Sequence, residues 1–155
     1  MTTTPADELR AAAARLRALA TAASTDTDGT PTTTWSAKLR RPADPDGTSR
    51  LYGDHRTRED GRRIAWPPLL RGGSQQRPTH MHTQHADYIV AMGPATGLAI
   101  AYWLDAVAAR LSRTTHPDWQ ADIEPHAVAV ARQLLGTSAG TVAQPAPAVT
   151  EEPGR

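Results

Sequence analysis

The spacing of apolar residues changes along the chain, and the first stretch repeats with the period of a helix. Thr4 suits an N-cap and Pro5 suits the first helical position. The pattern predicts a helix from Pro5 to about Ala23, with one apolar side made of Leu9, Ala12, Leu16, Leu19 and Ala23. Because several of these side chains are alanines, this side of the helix can approach another helix closely.

Alternation with a period of two replaces the helical pattern between the first helix and the middle of the chain. It predicts three short strands, separated by turn clusters rich in proline, glycine and aspartate, over residues 32–39, 49–52 and 62–66. We expect these strands to form a small antiparallel meander, with residues 69–83 as a linker. Helices must cover its apolar face, because an isolated hairpin is only marginally stable.

The most apolar segment of the chain runs from His85 to Leu111, and a Gly93-Pro94 pair divides it. The segment predicts one helix over about 82–92 and a second that starts at Pro94 and ends near Ser112. The second helix presents to the core a stripe made of Leu98, Ala101, Leu104, Ala108 and Leu111.

The last part of the chain combines a connector, a helix and a polar tail. Glu124-Pro125 opens the predicted helix and Gly136 ends it. Trp119 and Ile123, in the connector, are expected to pack back onto the core. Residues 137–155 contain few large apolar side chains and many alanines, prolines and threonines, so we expect a disordered tail.

Length and pattern together predict one domain of the α+β class. A chain of 155 residues is typical of a single domain. We expect a small antiparallel β-meander of about three short strands packed on three to four helices, followed by the disordered C-terminal tail. The domain spans residues 5–136, after a frayed N-terminus at residues 1–4.

Composition narrows the location and the chemistry of the protein. The formal net charge of +1 argues against a general polyanion binder, and the lack of cysteine excludes disulfides and thiolate chemistry. No apolar run reaches the ~18 residues that span a bilayer, and the N-terminus does not have the pattern of a secretory signal. We therefore expect a cytoplasmic protein.

Ten positions in the apolar segment match a pattern found in known proteins, roughly A-x-Y-I-A-x-M-x-P-x-x-x-L-A-L-A-x-W-L. They are Ala86, Tyr88, Ile89, Met92, Pro94, Leu98, Ile100, Ala101, Trp103 and Leu104. Here the chain resembles a family of small uncharacterised proteins of actinobacteria and actinophages. It is also distantly similar to the Ead/Ea-type early accessory proteins of lambdoid phages. Because the matched positions are mainly core-packing residues, the resemblance implies a fold and a phage or prophage context, and no catalytic residues.

Three histidines with the spacing H-x-H-x-x-H, His80, His82 and His85, precede the apolar segment. Neutral imidazoles are good zinc ligands, and three of them leave one position open for an activated water. The spacing is similar to the H-x-H-x-D-H signature of metallo-β-lactamase-fold hydrolases, but Gln84 stands where that motif has its aspartate. The alternative is a polar linker and helix cap that is rich in histidine.

Basic residues are in excess between positions 38 and 77, where ten positive and five negative side chains give +5 (10 − 5). Trp35, Tyr52 and Trp66 are interleaved with them, and arginines beside aromatic rings can bind phosphates and stack bases. The candidate nucleic-acid-binding residues are Lys38, Arg40, Arg41, Arg50, Arg56, Arg58, Arg62 and Arg63. The alternative is a solvated hairpin surface whose aromatic residues lie in the core, since acidic residues share the same turns.

The chain contains neither a phosphate-binding loop nor a serine in a nucleophile-elbow context, so we predict no catalytic residues and no cofactor. The alanine-rich faces of residues 9–23 and 98–111 pack either within the domain or across a dimer. We expect a non-enzymatic phage or prophage-type accessory protein that binds a host or phage protein, with a homodimer as an alternative. Two other functions stay open: a nucleic-acid-binding module that uses the arginine-rich hairpins, and a small zinc-dependent hydrolase that uses the histidines.

Overall fold

The computed structural model describes residues 3–40, 47–72, 79–113, 116 and 119–137. The predicted α+β class is confirmed, because the described residues form helices together with two small antiparallel sheets. In chain order the elements are α1 (Pro5–Ala23), β1 (Ser36–Leu39), β2 (Thr48–Tyr52), β3 (His55–Thr57), β4 (Arg63–Ala65), β5 (Met81–His82), α2 (Thr83–Ala91), α3 (Pro94–Leu111), α4 (Gln120–Ile123) and α5 (Pro125–Leu135). The predicted tail lies outside the described residues, apart from Thr137.

The main core lies where α1 contacts α3 and α5. α1 starts as predicted, because the Thr4 hydroxyl oxygen accepts a hydrogen bond from the Asp7 amide at 3.2 Å. The largest fully buried side chains of this core are Leu9, Leu104, Val107 and Leu111. Burying a leucine or valine completely contributes about 1.5–3 kcal/mol, so these side chains stabilise the three-helix packing.

Small residues bring α1 and α3 close together. Ala12, Ala13 and Ala20 of α1 are buried, as are Gly97 and Ala101 of α3. The alanine-rich faces that left two arrangements open therefore pack against each other within one domain. Gly97 is one such close contact: a Cβ atom added there would lie 3.2 Å from the Cβ of Ala20 and 3.7 Å from Leu16 Cδ1.

Replacing Gly97 with valine should lower the free energy of unfolding by about 1–3 kcal/mol, because the two helix backbones must move apart. The matched control is Ala99→Val, two residues further on the exposed side of α3, which should change stability by no more than about 0.5 kcal/mol. Denaturant unfolding followed by circular dichroism measures both. Equal effects of the two substitutions would show that Gly97 is not a close contact.

The connector before α5 packs differently from the expectation. Trp119 and Ile123 were predicted to return to the core, but they are 59% and 54% exposed. Gln120 is the buried residue instead: its Oε1 accepts a hydrogen bond from the Ala6 amide at 3.1 Å, and its Nε2 donates one to the Leu111 carbonyl at 3.2 Å. One side chain therefore caps the beginning of α1 and the end of α3, and these two hydrogen bonds require a polar residue here.

The three predicted strands do not form a consecutive meander. The described strands make two sheets, one ordered β1-β2-β5 and the other a separate β3-β4 hairpin. The third predicted strand, now β4, pairs with β3, which had been interpreted as part of a charged turn. β5 lies in the segment predicted to be a linker. Both missed strands are too short and too polar to show an apolar alternation.

The first predicted strand is shorter than expected because its first half is tied to α1. The Thr32 amide donates a hydrogen bond to the Ser24 carbonyl at 2.8 Å, and the Thr32 hydroxyl donates to the Ala23 carbonyl. Thr32 is buried there, and ladder pairing with β2 starts only at Ser36. The helix end thus takes the hydrogen bonds that a longer strand would need.

α2 covers one side of the three-stranded sheet. Ser49 and Leu51 of β2 are buried on this side, and the Ser49 hydroxyl lies 3.0 Å from that of Thr83 at the start of α2. Because side chains alternate along a strand, Thr48, Arg50 and Tyr52 point to the opposite side of the sheet. Among the described helices, only α2 packs extensively against this sheet.

Candidate binding surfaces

α3 is apolar on two sides, although only one of them is buried. Ala101, Leu104, Val107, Ala108 and Leu111 face the core. The outer face of α3, a name used here for Ala99, Tyr102, Trp103, Ala106 and Ala109, is exposed. Tyr102 and Trp103 keep 64% and 43% of their surface accessible. The solvent side of a surface helix is normally polar, so this outer face has the composition of a contact surface.

Exposed apolar side chains also lie on the segment before α3, and an arginine of α1 contacts the outer face of α3. Tyr88 and Met92 of the preceding helical segment, four residues apart and hence on one side, are 69% and 45% exposed. The Arg17 guanidinium lies 5.6 Å from the centre of the Tyr102 ring and pairs with Asp105. Tyr102 is therefore held against α1 by a cation–π contact while its remaining surface stays open.

The side of the three-stranded sheet opposite α2 carries positive charge. Lys38 and Arg50 are direct partners across β1 and β2, so their side chains lie on one face. The Arg40 amide donates to the Thr48 carbonyl at 2.8 Å, which continues the same register by one more pair. We call Lys38, Arg40, Arg50 and Tyr52 the basic sheet face. Within the described part of the chain, no carboxylate forms an ion pair with any of its three cations.

A cavity of about 450 Å³ adjoins the basic sheet face. Two arginines and two aromatic residues line it, together with Pro68 and Leu70: they are Arg50, Arg71, Tyr52 and Trp66. We call it the arginine–aromatic cavity. Trp66 is 45% exposed, and the Nε atom of Arg50 is buried without a hydrogen-bond partner among the described residues. Arg71 pairs with Asp26.

The other predicted nucleic-acid-binding residues that the structure describes lie on the separate β3-β4 hairpin. The Arg56 Nη2 atom donates to the Thr30 hydroxyl at 2.9 Å. Hydrogen bonds from Thr30 lower the pKa of Asp28, and the charge of Arg56 adds a smaller effect. Arg58 and Arg62 lie in the turn between β3 and β4, and Arg63 starts β4. Arg41 lies outside the described residues.

The three aromatic residues that were predicted together separate into two places. Trp35 lines a second cavity, of about 300 Å³, with Leu51 and Ile89. This cavity lies between the end of α1, the sheet and the segment that follows β4, and its lining is mainly apolar. Tyr52 and Trp66 instead line the arginine–aromatic cavity. Sequence reasoning named the residues but had no signal for which of them face solvent.

The predicted zinc ligands lie at the start of α2. His82 occupies the N-cap position, but its side chain makes no capping hydrogen bond. The rings of His82 and His85 meet edge to face, with centroids 6.1 Å apart. Among the described residues, no group of three or more His, Cys, Asp or Glu side chains is placed to hold a metal ion. Zinc binding by His80, His82 and His85 stays a prediction.

Comparison with known proteins does not assign the chain to a family. No family model matches it, and no curated protein or solved structure shows significant similarity to it. Among the described helices none is by itself long and apolar enough to cross a membrane. α2 and α3 meet the length and composition limits only as a pair, and they are bent by 47°.

Proposed function

We propose that the protein is a non-enzymatic accessory protein, of the phage or prophage type that the sequence resemblance implies, which binds another protein in the cytoplasm of its host cell. The outer face of α3 is the binding surface. The observation that carries this proposal is that α3 is apolar on both sides while Tyr102 and Trp103 on one side are exposed.

The arrangement of side chains on this surface suits a partner helix. Tyr102 and Trp103 project between Ala99 on one turn and Ala106 on the next. Alanines leave shallow grooves on either side of the two aromatic ridges, and ridges that pack into grooves are the usual basis of helix contact. Aromatic anchors surrounded by small residues are also typical of interface hot spots. The occupant is therefore an amphipathic helix of a host or phage protein.

The ion pair between Arg17 and Asp105, beside Tyr102, restricts how a partner can be oriented on this surface. Both charges lie close to the aromatic ring, and both remain partly exposed at 37% and 42%. Such a pair at the rim contributes little affinity, but it disfavours partners with an unmatched charge at that point. The surface thus has an apolar centre and a charged edge, as transient protein interfaces have.

Trp103→Ala should remove this interaction while the fold stays intact. Proteins that co-purify from the native host with the wild type are compared with those recovered by Trp103→Ala and by Trp119→Ala. Trp119, 59% exposed in the α4 region, is the matched control. The protein lost only with Trp103→Ala is then purified, and its affinity is measured by calorimetry. We expect about a 30- to 1,000-fold weaker affinity for Trp103→Ala, the range of an interface hot spot.

Two results would contradict the proposal. One is a set of co-purifying proteins that does not depend on Trp103. The other is a purified protein that dimerises in analytical ultracentrifugation and becomes monomeric only with Trp103→Ala, because the outer face of α3 would then be covered by a second copy of the chain.

A further inference from the structure

We propose that the basic sheet face and the arginine–aromatic cavity form a second binding surface, which binds single-stranded nucleic acid. One base enters the cavity and stacks on Tyr52 or Trp66. The phosphates next to it contact Lys38, Arg40 and Arg50. This function is independent of the outer face of α3 and uses none of its residues.

The first argument is electrostatic. Lys38 and Arg50 are directly opposite each other across two strands, and like charges in that position repel. No carboxylate in the described part of the chain forms an ion pair with either cation. A phosphate between them removes the repulsion and accepts charge-assisted hydrogen bonds from both side chains. An anionic ligand is therefore what this pair of cations is suited to bind.

The second argument is the shape and lining of the cavity. A volume of about 450 Å³ accommodates a nucleobase, and two of the lining residues, Tyr52 and Trp66, present aromatic surface. A base gains stacking energy on either ring, whereas a carboxylate side chain of an acidic peptide does not. Trp66 is 45% exposed, so a base reaches its ring without a rearrangement of the β3-β4 hairpin.

The third argument concerns the length and strandedness of the ligand. Lys38 and Arg40 lie on β1 and just after it, and neither lines the cavity. A mononucleotide in the cavity leaves these two charges unused, whereas a longer strand extends from the cavity across the sheet. A duplex keeps its bases paired and stacked, so it cannot place one in the cavity without paying an unstacking cost. The expected ligand is a single strand of several nucleotides.

The test uses the full chain and a fluorescein-labelled oligothymidylate of about 12 nucleotides, with binding followed by fluorescence anisotropy. We expect binding at low ionic strength, with a slope of log K against log salt near −2 for three phosphate contacts. Arg50→Ala and Lys38→Gln should each reduce that slope by about 0.7. Trp66→Ala should weaken binding by about 5- to 150-fold and leave the slope unchanged, because stacking releases no counterions.

Matched controls separate this surface from general charge and from the α3 surface. Arg113→Ala removes an exposed arginine beyond the end of α3, and Trp119→Ala removes an exposed tryptophan. Both should bind the oligonucleotide like the wild type, as should Trp103→Ala. Because Lys38 is exposed at the surface, Lys38→Gln keeps the test valid even if Trp66→Ala unfolds, which circular dichroism would detect.

Four outcomes would overturn the proposal: no binding at low salt, equal loss of binding with Arg113→Ala and Arg50→Ala, equal affinity for a duplex of the same length, or equal affinity for polyglutamate. A fifth comparison uses thymidine monophosphate as the ligand. If it binds as tightly as the oligonucleotide, the cavity is a mononucleotide site and the strand does not cross the sheet.

Discussion

Gln120→Leu should lower the free energy of unfolding by about 2–4 kcal/mol. The substitution keeps a large side chain in a site that is 4% exposed, but it leaves the Ala6 amide and the Leu111 carbonyl without their hydrogen-bond partner. Each buried polar group left unpaired costs about 1–3 kcal/mol, and the added apolar contact offsets only part of the sum. Chemical denaturation followed by circular dichroism measures the loss.

Gln133→Leu is the control for this substitution. Gln133 is exposed on α5, so the same chemical change is made there at the surface. It should alter stability by no more than about 0.5 kcal/mol. Amide hydrogen exchange adds a local readout: the amide of Ala6 should lose protection in Gln120→Leu alone. If both variants are equally stable, the two hydrogen bonds of Gln120 do not join α1 to α3.

Leu104→Ala should lower the free energy of unfolding at least as much, by about 2–5 kcal/mol. Leu104 is fully buried where α3 meets α1 and α5, so truncation removes apolar contacts and leaves a cavity in the core. Thermal and denaturant unfolding should both show the decrease. Leu19→Ala makes the same substitution on α1 at a position that is 57% exposed, and it should cost no more than about 0.5 kcal/mol.

The neighbouring substitution, Trp103→Ala, gives a second contrast with Leu104→Ala. The two residues are consecutive in α3, but Leu104 is fully buried whereas Trp103 is 43% exposed. Leu104→Ala should act on stability, whereas Trp103→Ala should act on partner binding. Similar loss of stability in both would mean that the outer face of α3 belongs to the core of the domain.

Helices were predictable here because their signals are long and involve several kinds of residue. Thr4 and Pro5 marked the start of α1, Pro94 marked the start of α3, and Gly136, at φ 72°, adopts the left-handed conformation that ends α5. These features act within a few residues of the place where they occur in the sequence. Local chemistry alone is therefore sufficient to place them.

The sheet was less predictable because its pairing depends on distant residues. β5 has only two residues and pairs with β2, which precedes it by about thirty positions. All three residues of β3 are polar or charged and exposed, so no apolar alternation distinguishes the strand from a turn. Thr32 has good strand propensity, but hydrogen bonds to the end of α1 take it away from the sheet. Tertiary context decides each of these cases.

The candidate sites, too, were predictable only where local sequence is sufficient. The basic residues and aromatic residues were evident from composition, but which of them share a face follows from the register of β1 and β2, as for Lys38 and Arg50. The exposure of Trp103 was hidden because α3 has apolar residues on both its inner and its outer side, so its periodicity does not tell the two apart. Arg71 was counted among the charges, yet its place beside Trp66 depends on the path of the chain after β4.

The tie between Gln120 and Ala6 also bears on how the chain matures during its synthesis. α1 is synthesised before the helices that bury its apolar side, which begin roughly 70 residues later, with α3. At typical elongation rates this is a delay of roughly 5 to 15 seconds, during which Leu9 and its neighbouring alanines have no partner. Nascent α1 therefore exposes apolar surface until α3 has emerged, and its packing is completed only once α5 has also emerged.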